Sequence, residues 1–396
     1  MNKKRIAAGI ALSCLLAGLA GCQRPWPDRE EFRISGKTIT VMDNPEQTFY
    51  EASAFMPLIR LNDVRGMDWV SDDEILVDRE NREMDPFYAE GVALYPRNLF
   101  IHSLATDVQT PLLPSSANQG SARLSPDKTK VFYQTYSMQS STGQGHIFDR
   151  TTGESKAITQ ADEMLQNNGG WVDNDSVVYA TLDGSVYMTD DSESKPRLLV
   201  DSLNAFPGNL SVVNGQLFFT TPKGQLIVKT PNRPSIAGDR KDRFALLPDR
   251  RIVWMAPSPN GERVAFVQKT KSGDAELIVS ENFWNVRDAA AAQDEVRASV
   301  RLAIAQDSQI YGIAWSPDGS KLAYAGIMSN GTVRGIYVAD IATGLSEALS
   351  VDVKFIADPL LWSPSGNRLM VSAVLPDDDQ NRNRFATYLV GVDKNL

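Results

Sequence analysis

Short apolar runs, each introduced by a polar turn, recur along this chain. Lys321-Leu322-Ala323-Tyr324 follows Trp315-Ser316-Pro317-Asp318-Gly319, and Arg368-Leu369-Met370-Val371 follows Trp362-Ser363-Pro364-Ser365-Gly366. Weaker copies lie upstream. Pro257-Ser258-Pro259-Asn260-Gly261 precedes Arg263-Val264-Ala265-Phe266, and Leu124-Ser125-Pro126-Asp127-Lys128 precedes Lys130-Val131-Phe132-Tyr133. Trp69-Val70-Ser71-Asp72-Asp73 and Trp171-Val172-Asp173-Asn174-Asp175 introduce Ile75-Leu76-Val77 and Val177-Val178-Tyr179. The most degraded copy is Ser211-Val212-Val213-Asn214-Gly215, before Leu217-Phe218-Phe219. Each run reads as a strand bounded by turn chemistry. The motifs start at 69, 124, 171, 211, 257, 315 and 362, so the intervals are 55, 47, 40, 46, 58 and 47 residues. That period suits a repeated four-stranded unit.

A second landmark keeps step with the first. Asp340-Ile341-Ala342-Thr343-Gly344 follows the strand-like Ile336-Tyr337-Val338, and Asp149-Arg150-Thr151-Thr152-Gly153 follows Ile147-Phe148. Gly344 lies 29 residues after Trp315, and Gly153 lies 29 after Leu124. Asp with Thr-Gly predicts a hairpin turn in which glycine accepts positive φ. In the Ser-Pro-Asp-Gly turn, Pro presets φ while Asp and Gly tolerate the left-handed region. The Trp is expected to end one strand and pack between neighbouring sheets. A single such sheet cannot bury both of its faces, so the sheets must stack, and closing them into a ring limits exposed edges. The predicted fold is therefore all-β: a β-propeller over residues 36–396 with seven four-stranded blades, six or eight being the alternatives.

Trp-Ser-Pro-Asp-Gly-x-x-Leu-Ala-Tyr resembles the repeat of the TolB-type (WD40-like) propellers, which the propellers of prolyl-oligopeptidase-like enzymes share. The likeness covers about residues 60–396, strongly in the last two copies and weakly in the middle ones. It implies a propeller and, loosely, work in a cell-envelope complex. The α/β domain that precedes the TolB propeller has no room between residue 22 and the motif at 69. The last repeat offers Leu369–Ala373 and Ala386–Gly391 as strands. Its missing partner is expected in Phe32–Met42, through Lys37-Thr38-Ile39-Thr40-Val41, closing the ring with an N-terminal strand; a free N-terminal hairpin is the alternative.

The N-terminus has a different pattern. Lys3, Lys4 and Arg5 precede Ile6–Leu19, 14 residues without a charge. A membrane span needs roughly 20, so this reads as a signal-peptide core. Leu19-Ala20-Gly21-Cys22 resembles the lipobox of bacterial lipoproteins. The resemblance implies cleavage after residue 21 and lipidation of Cys22. Each buried CH₂ contributes about 0.8 kcal/mol, so two or three acyl chains anchor firmly. Residues 22–35 then form a short tether, rich in proline and charge. Gln at position 23, rather than Asp, implies the outer membrane in a Gram-negative host, or the outer leaflet of the plasma membrane in a Gram-positive one.

The net charge of −9 repels nucleic acid, which is not expected as a partner. Both cysteines, Cys14 and Cys22, lie in the first 22 residues, so the folded part is expected to have neither a disulfide nor a thiolate metal site. His102 and His146 both sit in strand-like surroundings and suit structural roles. No Gly-x-Ser-x-Gly elbow and no Gly-x-x-x-x-Gly-Lys-Ser/Thr loop occurs. No cofactor, metal or catalytic residue is assigned, although paired carboxylates for glycoside chemistry stay open. Two long intervals carry insertions, at 80–97 and 284–302, and Ala289–Ala292 favours a short helix in the second. Residues 375–384 (LPDDDQNRNR) lack EF-hand spacing and suit a hairpin tip better than a calcium loop. The expected function is binding or scaffolding: a lipoprotein held to the membrane through Cys22, with an envelope protein or polysaccharide as partner. A propeller enzyme acting on an extracellular polymer, or a ligand sensor, is the alternative.

Overall fold

The structure is a computed structural model. It describes strands at 29–34 and 37–42 and the chain from 58 to 392; the longest stretches left out within that range are 230–242, 245–250 and 282–299. Two compact units divide the chain, residues 1–48 and 49–396. In the first, Arg29–Ile34 pairs antiparallel with Lys37–Met42. Residues 37–41 thus form a hairpin with a stretch expected to be tether.

In the second unit every strand set repeats one plan. Ser308–Trp315, Lys321–Met328, Val333–Asp340 and Ser346–Leu349 form one antiparallel sheet in chain order. Sheets of the same order start with Val64–Trp69, Gly208–Val213 and Arg251–Pro257. An eight-stranded sheet joins two further sets, those starting with Asn118–Leu124 and Met164–Trp171, through Thr142↔Leu165 and Gly143↔Met164. The last set is composite. Phe355–Ile356 and Leu361–Trp362 pair with Arg368–Asp377, which pairs with Arg382–Gly391, and that strand takes Leu58–Asn62 along its outer edge. The closing strand is therefore N-terminal, as expected, but lies at 58–62 rather than within 32–42.

The starting strands lie side by side in chain order, and Leu361–Trp362 returns to Val64–Trp69. They form the inner wall of a closed ring. Apolar clusters fill the spaces between successive sheets: Ala265, Val267 and Leu277 meet Trp315, Leu322 and Tyr324 in one. Val64, Trp69 and Val77 meet Met370 and Leu389 at the seam where the ring closes. Second strands have a sheet neighbour on each side and a blade on each face. In Lys321–Met328 the first six residues are all buried. This explains why the apolar runs are continuous and do not alternate.

The repeat motif holds these contacts. In the turn after Trp315, Ser316 Oγ donates to Asp318 Oδ1 at 2.6 Å, the Lys321 N–H donates back to Ser316 Oγ at 2.9 Å, and Gly319 sits at φ +70°. The Ser316 hydroxyl and the Ser320 N–H hold the Asp318 carboxyl below the usual carboxylate range. Each well-formed Trp then reaches one blade back, to the carbonyl just before that blade's motif. The indole N–H of Trp171 donates to Arg123 O at 2.9 Å, Trp315 to Ala256 O at 2.8 Å, and Trp362 to Ala314 O at 2.9 Å. Trp69 completes the circuit by donating to Leu361 O at 3.1 Å. In the degraded copy Val212, not Ser211, takes the Trp register, pairing with Leu217 as Trp315 pairs with Leu322.

Position 128 tests the turn. Lys128 adopts φ +64°, where the other Ser-Pro copies carry Gly261, Gly319 and Gly366 at +68°, +70° and +71°. A left-handed non-glycine residue costs about 1–2 kcal/mol, and glycine's greater freedom in the unfolded chain returns part of it. Lys128→Gly should therefore stabilise the protein by about 0.5–1 kcal/mol in urea denaturation. A loss of stability would show that the lysine side chain does more here than its backbone strain suggests.

The second landmark also forms its turn. Gly153 and Gly344 adopt φ +76° and +71°, and their N–H groups donate to Asp149 O and Asp340 O. The insertion at 80–97 carries a small hairpin, Phe87–Ala89 with Val92–Leu94, and Tyr88 is 73% exposed. Most of the expected helix at 284–302 lies outside the described residues; its last part, Val300–Leu302, begins the strand Val300–Ala305. The ladder after Leu375 continues to Asp377↔Arg382, a hairpin whose tip at 378–381 is outside the described residues.

Candidate functional site

Two to four residues before six of the seven Trp-register positions the inner strand slips. Register shifts occur at Gly66/Asp68, Gly120/Arg123, Met164/Gly169, Gly208/Ser211, Ile252/Trp254 and Tyr311/Ala314. Ser121, Asn209 and Gly312 adopt φ +51°, +54° and +65° there. Such bulges bend a strand and re-aim its side chains. At Gly312 the bulge runs close to Pro359 and Leu360 of the next blade, so a Cβ would add crowding to strain.

The re-aimed residues converge on the ring's interior. A cavity of about 820 Å³ is lined by Arg123, Asn168, Asn209, Trp254, Tyr311 and Pro359, one from each of six consecutive inner walls. Trp254 and Tyr311 meet edge-on, with centroids 4.9 Å apart. Beside them, Arg65 makes a bidentate pair with Asp358, Nε to Oδ2 at 2.6 Å and Nη2 to Oδ1 at 2.7 Å. Burial opposes the Arg65 charge, but Asp358 outweighs it and holds the guanidinium protonated more firmly than usual. Arg97 pairs with the buried Asp78, donating from Nε to Oδ1 at 2.8 Å. The Phe385 ring lies under both guanidinium groups, 5.3 Å from Arg65 and 4.7 Å from Arg97. The Tyr136 hydroxyl is pushed up to about 12 by burial and by Asp78. Burial and Asp358 raise Tyr311 in the same way.

The residues considered from the sequence fall elsewhere. Cys22 lies outside the described residues. His102 is buried, with Nδ1 2.9 Å from the Gln109 amide and Nε2 3.1 Å from Asp107. Burial pulls its pKa down against Asp107. His146 stacks on Tyr133 at 5.0 Å and meets Thr135 Oγ1 at 3.0 Å. Both are strand residues with local partners. None of the axial residues was singled out from the sequence. Their signal is positional: Arg65-Gly66, Gly120-Ser121, Asn168-Gly169, Gly208-Asn209, Tyr311-Gly312 and Asp358-Pro359 all fall three or four residues before the Trp register, except that Asn168 and Gly169 precede Trp171 by three and two.

A ring of radially stacked four-stranded sheets around a side-chain-lined axis makes this protein a β-propeller. Solved structures agree on the fold. An oligogalacturonate lyase in complex with manganese covers 93% of this chain and 97% of its own at 12% identity, TM-score 0.57. The C-terminal WD40 domain of Sif2 covers 86% and 99% at 14% identity, TM-score 0.51. No protein-family model and no curated protein matches the sequence. Enzymes and binding domains both use this fold, which by itself does not choose between them.

Proposed function

We propose that this chain is an exported lipoprotein, anchored through Cys22, whose seven-bladed propeller is a binding and scaffolding module of the cell envelope. Its partner is an envelope protein or a wall polymer. The observation that carries the reading is the state of the axial charges. Asp358 is committed to Arg65, and Asp78 to Arg97. The tyrosines beside them, Tyr136 and Tyr311, are pushed further from neutrality. Recognition needs fixed donors, acceptors and rings, whereas general acid–base chemistry needs a group poised near the working pH. The lipobox-like Leu19-Ala20-Gly21-Cys22 supports the anchor.

The test is made in cells. The wild-type chain should label with radioactive palmitate and partition into detergent, while Cys22→Ala should remain unlabelled with its leader uncleaved. Equal labelling of both would remove the anchor from the proposal. Crosslinking in intact cells should capture an envelope partner from the wild type. Failure to capture one, together with measurable cleavage of a wall polymer by the purified chain, would favour the enzyme reading.

A further inference from the structure

We infer that the axial cavity is a site for an acidic saccharide, a hydroxyl-bearing ring that carries a carboxylate. This rests on the binding-module reading and assigns the chemistry of its ligand.

Charge comes first. The axial ions largely cancel in pairs: Arg65 with Asp358 and Arg97 with Asp78. Asp68 accepts the N–H groups of Trp69 and Leu124 and lies 3.9 Å from Lys128 Nζ. Arg123 is different. Its Nη1 donates to two neutral carbonyls, Met67 O at 2.7 Å and Ala122 O at 2.9 Å. Among the described residues no carboxylate pairs with it, and no Asp or Glu lines the cavity. In a chain of net charge −9, Arg123 is thus the one charged residue among the described residues that line this cavity. A single guanidinium with a free N–H edge suits one carboxylate. A phosphate group, with more charge, calls for more donors than this wall supplies.

The rest of the wall fits a sugar. Trp254 and Tyr311 supply aromatic surface for the C–H face of a ring. Asn209 uses its Nδ2 on Val253 O at 3.1 Å, and Asn168 uses its Nδ2 on Pro207 O, so both amides are fixed in orientation. That leaves each Oδ1 as an acceptor for a ligand hydroxyl. Ser211 and Tyr311, which carry hydroxyls, are also among the lining residues. Alternating donors and acceptors beside aromatic rings match a polyol. The volume of about 820 Å³ lies within the usual range for ligand pockets and holds more than one sugar unit.

The experiment is calorimetric titration of the full chain in detergent micelles with three probes. These are the β-1,4-linked trimer of glucuronic acid, cellotriose as the same backbone without carboxylates, and tricarballylate as carboxylates without a ring. The acidic trimer should bind about tenfold or more tightly than cellotriose, because a charge-assisted pair discriminates by that much. Tricarballylate should give no measurable heat. Arg123→Gln should bring the acidic trimer down to the cellotriose level, Arg123→Lys should retain part of the difference, and Trp254→Ala should weaken both sugars. Far-UV circular dichroism and melting of each variant report folding, and if Arg123→Gln fails to fold, Arg123→Lys and Trp254→Ala carry the test. Equal affinity for the two sugars, tricarballylate binding as tight as the trimer, or an Arg123→Gln variant of unchanged affinity would overturn the assignment. If the sugars fail while crosslinking still captures an envelope partner, the ligand class is wrong and the binding module stands. If both fail, both readings fall.

Discussion

Asp358→Ala should destabilise the protein by about 3–5 kcal/mol, because it leaves the Arg65 guanidinium buried without its counter-ion. The two side chains are 16% and 4% exposed, so solvent screens the pair little. Arg65 also lies over Phe385, 5.3 Å from the ring centroid, so one face of the guanidinium is covered. The expected readout is a lower urea midpoint at unchanged slope. The paired replacement Arg65→Met with Asp358→Leu should recover much of the loss, because exchanging both charges for apolar groups removes the desolvation term as well as the attraction. If the double variant is as unstable as the sum of the singles, the pair is not the unit described here.

Trp69→Ala is expected to cost a similar amount, about 3–5 kcal/mol, by opening a cavity in the seam between the last and first blades. Trp69 is 2% exposed and packs with Val77, Met370 and Leu389. Trp69→Phe separates its two roles. It keeps most of the apolar volume but loses the indole N–H bond to Leu361 O, so about 1 kcal/mol should remain as the difference. Equilibrium denaturation of the three proteins decides this. A phenylalanine variant as damaged as the alanine variant would mean that the hydrogen bond, and not the packing, closes the ring.

The sequence made the blades legible because the second strand of each is buried on both faces. Leu322-Ala323-Tyr324 and Val264-Ala265-Phe266 are uninterrupted apolar runs, and the turns before them need Ser, Asp and Gly for stated bonds. The closing strand was not legible. Leu58-Ile59-Arg60-Leu61-Asn62 lies on an outer edge with a weakly buried, alternating pattern and no motif before it. Lys37-Thr38-Ile39-Thr40-Val41 has the stronger β-branched composition, yet its partner is its own neighbour. The axial site was hidden for another reason. Its lining is divided among six blades far apart in sequence, and the bulges that aim it inward leave only scattered Gly, Asn and Tyr in the sequence.

The seam has a consequence for biogenesis. Leu58–Asn62 pairs with Ala386–Val390, partners more than 300 positions apart, and Gly66 N donates to the Thr387 hydroxyl across the same divide. During synthesis the strand at 58–62 emerges first, and its zipper partner follows only after more than 300 further residues. Until then a nearly finished circle stands with two raw edges, the situation most open to wrong pairing between neighbouring molecules. Latching is therefore a late event in folding, and the unlatched horseshoe is the form most in need of protection from its neighbours.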